Sequence, residues 1–318
     1  MDLIYTNANG VDLGVLSAYA FDLSFGASEN DFEITLGADD ATLEMGAIIY
    51  MEGTEYGGIV DGLKLSTNGE TITYKGRTWH GLLNSKVIQP NSGEDYYIVS
   101  GDANEIIAAL IARLGLSGLF VAAEGAAGIS ISNYKIHRYC KAYDGLIAML
   151  EDNGAKLKFE WKDRAVILSA VPAADYTDSP IDGDIAILTV EQQSKKVNHL
   201  ICLGAGNLAD REVIHLYVDQ FGKIGDVQYY TDLDEFCDTY ENSNSEDLRS
   251  DGVSKLKELQ NTDKAEINLS EYEGITYDIG DIVGAKEYKS GVSVAATVTQ
   301  KIVKINNGIV STEYKTGG

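Results

Sequence analysis

The residues in this chain that could do chemistry are few, and the most suggestive run is Gly204-Ala205-Gly206-Asn207-Leu208-Ala209. It follows the apolar stretch Leu200 to Leu203 and satisfies G-x-G-x-x-(G/A), the pattern that cradles a pyrophosphate where a strand turns into a helix. That chemistry needs a helix directly after the glycines, because the helix N-terminus supplies the free amides and the partial positive charge. The continuation here is Glu212-Val213-Ile214-His215-Leu216-Tyr217-Val218, in which Ile214, Leu216 and Val218 alternate with Val213, His215 and Tyr217. Such alternation makes a strand. The spacing therefore predicts a β-hairpin with glycines in its connection and no cofactor.

The other reactive side chains are scattered. His137 and Cys140 suggest a thiol-imidazole pair, but on an extended strand a spacing of three sends them to opposite faces, so a buried Cys140 and a surface His137 are expected. His80 lies beside Trp79 in Arg77-Thr78-Trp79-His80-Gly81, where packing and one hydrogen bond account for it, and His199 and His215 stand alone. A nucleophile elbow, a P-loop, an H-E-x-x-H helix and a C-x-x-C pair are all missing, so no catalytic, cofactor-binding or metal-ligating residue is assigned. The acidic run from Asp232 to Asp247 lacks the glycine that a calcium loop needs at its sixth position and reads as a solvated connector. Glycosidase-like carboxylate pairs carry no information in a chain with 49 acidic residues. Cys140, Cys202 and Cys237 are odd in number and far apart, which excludes a disulfide framework or zinc ribbon and predicts reduced, mostly buried thiols.

The 318 residues, at 44% apolar content, suffice for two or three domains with real cores. The net charge of -24, from 49 acidic against 25 basic residues, argues against a surface built to grip a nucleic acid backbone; a lumen past which nucleic acid slides without sticking would want this sign. No run of about 18 apolar residues predicts a membrane-spanning helix. Met1-Asp2-Leu3-Ile4-Tyr5 lacks the layout of a signal peptide, so synthesis in the cytoplasm without an export signal is expected. Nineteen tyrosines against seven phenylalanines point to surfaces that are partly buried and partly wet.

Pro90, Pro172 and Pro180 fall where the pattern changes. Before Pro90 the chain alternates: Tyr19, Phe21, Leu23 and Phe25 share one face, Phe32, Ile34 and Leu36 another, and Asn9-Gly10 and Asn68-Gly69 mark tight turns. Between Pro90 and Pro172 the period becomes helical. Asp102 with Glu105 forms a capping box before Ile106, Ile107, Leu110, Ile111 and Leu114, and Gly115 stops that helix. A second helix through Leu146, Ile147 and Leu150 ends at Asn153-Gly154, before a hairpin around Lys162-Asp163-Arg164. Strands return after Pro180, with a helical stretch around Ser245 to Gln260 that uses Leu248, Leu256 and Leu259 as apolar contacts.

Residues 45–76 and 279–317 share an order of features: a glycine (Gly46, Gly280), an apolar strand, a loop, a long strand, an Asn-Gly turn (Asn68-Gly69, Asn307-Gly308) and a strand ending in Tyr-Lys (Tyr74-Lys75, Tyr314-Lys315). The predicted fold is mainly β with an α+β insert: an N-terminal β-barrel-like domain over 1–91, an α+β domain over 92–178 and a C-terminal β-barrel-like domain over 179–318 with its helical insert around 245–260.

The blocks FDLSFGASENDFEITL, TYKGRTWHGLL, YYIVSGDANEIIAALI and LICLGAGNLADREVIHLY make the chain resemble the tail hub proteins of phages and prophages of Gram-positive bacteria, similar to the baseplate hub of contractile tails and the distal tail hub of siphophages. The resemblance runs from about residue 3 to about 305. It implies two tail-tube-like antiparallel barrels per chain and a homotrimer that adapts a six-fold tail tube to a three-fold spike or tip. The implied partners are the tail tube or distal tail proteins, the spike or tip protein, the C-terminus of the tape measure protein and the baseplate wedge proteins. The implied place is the distal end of a tail, assembled in the host cytoplasm, with no enzymatic activity. Contractile and non-contractile tails, and phages and DNA-free bacteriocins, fit the resemblance equally. A peptidoglycan hydrolase and a carbohydrate-binding tail-tip protein are the alternatives, and the missing Cys/His and zinc motifs weigh against the first.

Overall fold

The computed structural model describes residues 2–40, 42–65, 70–178, 181–182, 187–191, 196–243, 245, 247–260, 264–270, 276–286, 293–306 and 308–317. The Asn68-Gly69 turn, Pro180 and Asn307 lie outside them. The chain is mainly β, and its large antiparallel sheet curls into a half-barrel. By contacts it divides into one unit of 1–188 with 267–317 and a second of 189–266.

In the first unit, β1 (Leu3–Thr6) and β2 (Asp12–Leu16) form a hairpin over Asn9-Gly10, where Gly10 takes the left-handed backbone (φ 75°) that the turn requires. Next come β3 (Tyr19–Gly26) and β4 (Asp31–Gly37), whose predicted faces are buried as read, then β5 (Ile48–Tyr50), β6 (Gly57–Leu65) and β7 (Thr71–Thr78). These strands order as β3-β4-β7-β6-β5-β1-β2 around a core of Phe21, Leu23, Phe25, Phe32, Ile34 and Tyr74. Gly76 on β7 lets Phe32 and β6 close in: a Cβ there would stand 2.0 Å from the Ile59 carbonyl oxygen and 2.5 Å from the Phe32 ring. Gly76→Ala is expected to cost about 3 kcal/mol by overpacking, read as a lowered midpoint in chemical denaturation.

A short helix, α1 (Trp79–Asn84), follows at once, with the Thr78 hydroxyl accepting from Gly81 N–H. Its residues Trp79, Leu82 and Leu83 share a core with the α+β segment. That segment comprises β8 (Tyr97–Asp102), α2 (Ala103–Arg113), β9 (Phe120–Ala122), β10 (Ser130–Ile136), α3 (Ala142–Glu151), β11 (Ala155–Lys162) and β12 (Ala165–Pro172). Asp102 caps α2 by accepting from Asn104 N–H, and it also accepts from Ala127 and Gly128 N–H; Glu105 adds no return bond among the described hydrogen bonds. The cap therefore ties a loop as well as a helix. The β11–β12 hairpin turns on Asp163 and Arg164, both at positive φ.

After β13 (Ile181–Asp182) and β14 (Ile187–Glu191), the second unit contains β15 (His199–Leu203), β16 (Val213–Val218), β17 (Ile224–Gly225), β18 (Cys237–Glu241) and α4 (Leu248–Gln260). The sheet runs β17-β16-β15-β18, and Leu200, Cys202, Leu216 and Val218 pack under Leu248 and Leu256. The acidic run expected to be a connector is thus partly a strand: β18 pairs in parallel with β15, its carboxylates facing solvent on an edge.

The chain then returns to the first unit with β19 (Lys264–Ser270), β20 (Ile282–Lys286), β21 (Ser293–Asn306) and β22 (Ile309–Gly317). β21 pairs with β3 from Gln300↔Gly26 to Asn306↔Ala20, so strands from both ends of the chain share one sheet. The reason is the alternation of β21, which presents Val303 and Ile305 to the core of Phe21 and Leu23.

Candidate functional site

Each residue with chemical potential has a definite place. The strand before Gly204 returns as β16 in five antiparallel pairs, and the connection closes on itself through Gly204 N–H to Glu212 O (2.9 Å), Glu212 N–H to Ala205 O (2.8 Å) and Arg211 Nε to Gly204 O (3.2 Å). The only helical geometry there is one 3-10 turn, Leu208–Asp210, and a Cβ on Gly206 would fall 2.4 Å from Asp210 O. These glycines serve a tight loop that continues into β16, not into a helix, and Gly204 leaves room for the Leu248 side chain at the start of α4.

His137 and Cys140 are separated by a turn, not by the strand predicted: Cys140 N–H donates to His137 O (3.4 Å) across Tyr139 at φ 56°. His137 is exposed and Cys140 half-buried, with burial pushing its thiol pKa up. Cys202 is buried, but Cys237 is exposed, contrary to the expectation of mostly buried thiols, because it heads the edge strand β18. Burial, then the charges of Glu235 and Asp238, raises the Cys237 pKa, which disfavours the thiolate.

His80 is 2% exposed and, among the described residues, lacks the hydrogen bond expected of it: Nδ1 has no partner there, and Nε2 stands 3.8 Å from Glu55. It is held by ring packing on Phe25 (4.5 Å) and Phe159 (3.8 Å). Burial, reinforced by the Lys301 charge, lowers its pKa to about 3. His199 and His215, isolated in sequence, meet on the second unit's sheet: His199 Nε2 lies 2.8 Å from His215 Nδ1, and Nδ1 lies 2.5 Å from Glu235. Hairpin register was the signal that could have found them, since His199 faces Tyr217 and Ile201 faces His215. Among the described residues no group of three His, Cys, Asp or Glu is arranged to hold a metal ion.

The repeated region has a far more specific geometry. Gly46 N–H donates to Val60 O (2.8 Å) as Gly280 N–H donates to Val298 O (2.9 Å). Leu43 N–H donates to the Tyr74 hydroxyl and Tyr277 N–H to the Tyr314 hydroxyl, both at 3.2 Å and both buried. The long strands break register at matching points, between Val60 and Gly62 in β6 and between Val298 and Gln300 in β21. Ile34 of β4 opposes Tyr74 as Leu269 of β19 opposes Tyr314. The sheet order β14-β19-β22-β21-β3-β4-β7-β6 is therefore one four-stranded pattern stated twice, joined where β21 meets β3.

One consequence is an unfilled edge. Leu63 and Leu65 oppose Tyr74 and Ile72 as Lys301 and Val303 oppose Tyr314 and Thr312. Lys301 and Val303 are covered by β3 and are 2% and 0% exposed, whereas Leu63 and Leu65 are 54% and 57% exposed. β5 covers only Gly57–Ile59 on that side, and beyond the bulge Gly62–Leu65 has no second neighbour among the described strands.

No protein-family model and no curated protein sequence matches the chain. Solved structures do, and they define the class of fold as that of tail and baseplate proteins. The 43 kDa tail protein of prophage MuSo2 from Shewanella oneidensis is similar over 99% of this chain and 98% of its own, with TM-score 0.59 and 12% identity. The prophage tail protein gp18 from Listeria monocytogenes EGD-e matches over 100% and 94%, with TM-score 0.57 and 11% identity. A chain of the phage P2 baseplate matches over 100% and 99%, with TM-score 0.52 and 12% identity.

Proposed function

We propose that this chain is a structural, non-enzymatic component of a phage tail or tail-like particle, a hub whose copies join edge to edge in a ring. The observation that carries the reading is the tandem four-stranded repeat with an apolar, unpaired edge at β6 and a terminal strand, β14, at the other end of the sheet path. Within one chain the second repeat meets the first at β21 and β3; between copies β6 meets β14 of the next in the same manner. Each copy adds two repeats, so three copies close a ring of six, which matches a six-fold tube on one side and leaves three-fold symmetry for a spike or tip. Closure also removes the open sheet edges.

In this reading 1–91 and the strands β14 and β19–β22 of 179–318 build the ring, and the α+β region, 92–178, lies outside it. The partners are tail tube or distal tail proteins, a spike or tip protein, the tape measure C-terminus and baseplate wedge proteins, at the distal end of the tail. A net charge of -24 suits a lumen past which DNA slides. Light scattering on the purified chain is expected to give three times the chain mass. The double variant Leu63→Lys/Leu65→Lys is expected to keep its circular dichroism and melt cooperatively as a monomer, since charge on an edge blocks strand pairing. A variant that stays trimeric, or a parent chain monomeric at every concentration, defeats the reading.

A further inference from the structure

Five of the 25 basic side chains of this acidic protein lie around one end of the β8–β10 ladder. Residues 134–141, Tyr-Lys-Ile-His-Arg-Tyr-Cys-Lys, carry Lys135, Arg138 and Lys141 with no acid between them. The fold adds two more charges: the bridge Val87↔Lys141 sets Lys86 beside Lys141, and Lys86 lines a cleft with Arg113. Among the described residues none of these five takes part in an ion pair, although carboxylates outnumber bases almost two to one.

Tyrosines are interleaved with the charges. Arg113 lies over the Tyr97 ring (4.4 Å), Lys135 over Tyr96 (5.4 Å) and Arg138 over Tyr139 (5.3 Å). Tyr97 pairs with Ile136 across β8 and β10, which brings the Arg113 stack next to the basic turn, while Lys135, paired with Ile98, stands on the opposite face of that ladder. Tyr139 is held at φ 56°, a backbone region costly for a bulky residue, and Val87, Tyr96, Ile98 and Tyr139 are all exposed.

We infer that this face docks a short acidic segment of a protein partner. Tyrosine and arginine are the side chains enriched at the anchoring points of protein interfaces, and stacking on a ring orders each cation before the partner arrives. Free positive charge in a chain of -24 supplies the complementarity. The same imbalance selects against a long polyanion, which would run off the patch onto a repulsive surface, whereas a short segment touches only the patch. The patch lies on the connection after α1, on α2, on the β8–β10 ladder and on the turn between β10 and α3, none of which joins the β6–β14 edge. The inference therefore does not depend on the ring.

The test is fluorescence anisotropy of a fluorescein-labelled peptide of about ten residues, alternating Asp or Glu with Leu and Tyr, added to the full chain at low and physiological salt. Saturable, salt-weakened binding is expected. Arg138→Glu/Lys141→Glu is expected to weaken it by about tenfold or more, with unchanged circular dichroism and melting. Arg113 is left alone because it also donates to Gln89 O. Equal affinity for the charge-reversed chain overturns the inference, as does tighter binding of single-stranded DNA than of the peptide. A fall in the chain's own oligomeric mass on charge reversal overturns it too, by making a second copy the occupant.

Discussion

Replacing His80 with Phe is expected to flatten the acid side of the protein's stability curve. His80 is buried against Phe25 and Phe159, and its pKa falls to about 3 in the folded state against about 6.5 unfolded. The unfolded chain therefore takes up this proton first. The stability conferred by a neutral His80 is complete above about pH 6.5 and drains away as pH falls toward 3, by on the order of 4 kcal/mol. Phe occupies a similar volume, keeps the stacking and removes the unpartnered Nδ1, so His80→Phe should match or exceed the parent chain at pH 7. Urea denaturation at pH 7, 5.5 and 4.5 checks this: the gap in favour of the variant should widen at each step, and parallel curves would assign the acid sensitivity elsewhere.

The second large effect is at Lys301, whose Nζ donates to Glu55 Oε1 at 2.6 Å and lies 3.9 Å from Asp278, at 2% exposure. Burial by itself would lower its pKa, but the Glu55 charge and hydrogen bond outweigh this and hold it well above the ordinary lysine range. Lys301→Ala leaves the half-buried Glu55 beside a neutral His80 without its cation and is expected to cost about 2–3 kcal/mol, less than the penalty for a fully buried uncompensated charge because part of the carboxylate reaches water. Lys301→Met with Glu55→Leu removes both charges and should recover most of that loss, which a double-mutant cycle measures. Because the folded pKa is raised, the lysine's contribution is fully present below about pH 10.4 and is lost only as pH climbs through the folded value. A Lys301→Ala chain as stable as its parent would mean the pair contributes nothing.

Lys301 also shows how the two repeats diverged. Its counterpart is Leu63. Where β3 covers the strand, a charge is buried against a chosen partner; on Gly62–Leu65, which no second described strand covers, an apolar residue stands instead. Nearby, Asp281 accepts from Lys156 Nζ, Ala174 N–H and Asp278 N–H, which binds the second repeat to β11.

Much of this was legible in local pattern. The alternation of Tyr19 to Phe25 and Phe32 to Leu36, the helices after Asp102 and before Gly154, the hairpin at Asp163-Arg164 and the match between 45–76 and 279–317 all appear where the residues predict them. Local pattern also disposed of the phosphate-loop reading, since a β-branched run after Gly206 cannot be a helix.

Other features were out of reach. β18 was hidden in an acidic run because an edge strand has no buried face to impose alternation. The meeting of His199 with His215 depended on register, and the missing hydrogen bond of His80 on which rings closed around it. The sequence by itself determined the faces, the turns and the existence of a repeat, because side-chain period and backbone permissiveness are properties of a few consecutive residues. Only the tertiary structure decided that β21 lies beside β3 and that β6 is left with an open edge, because strand pairing joins residues some 280 positions apart and alternation names a face without naming a neighbour.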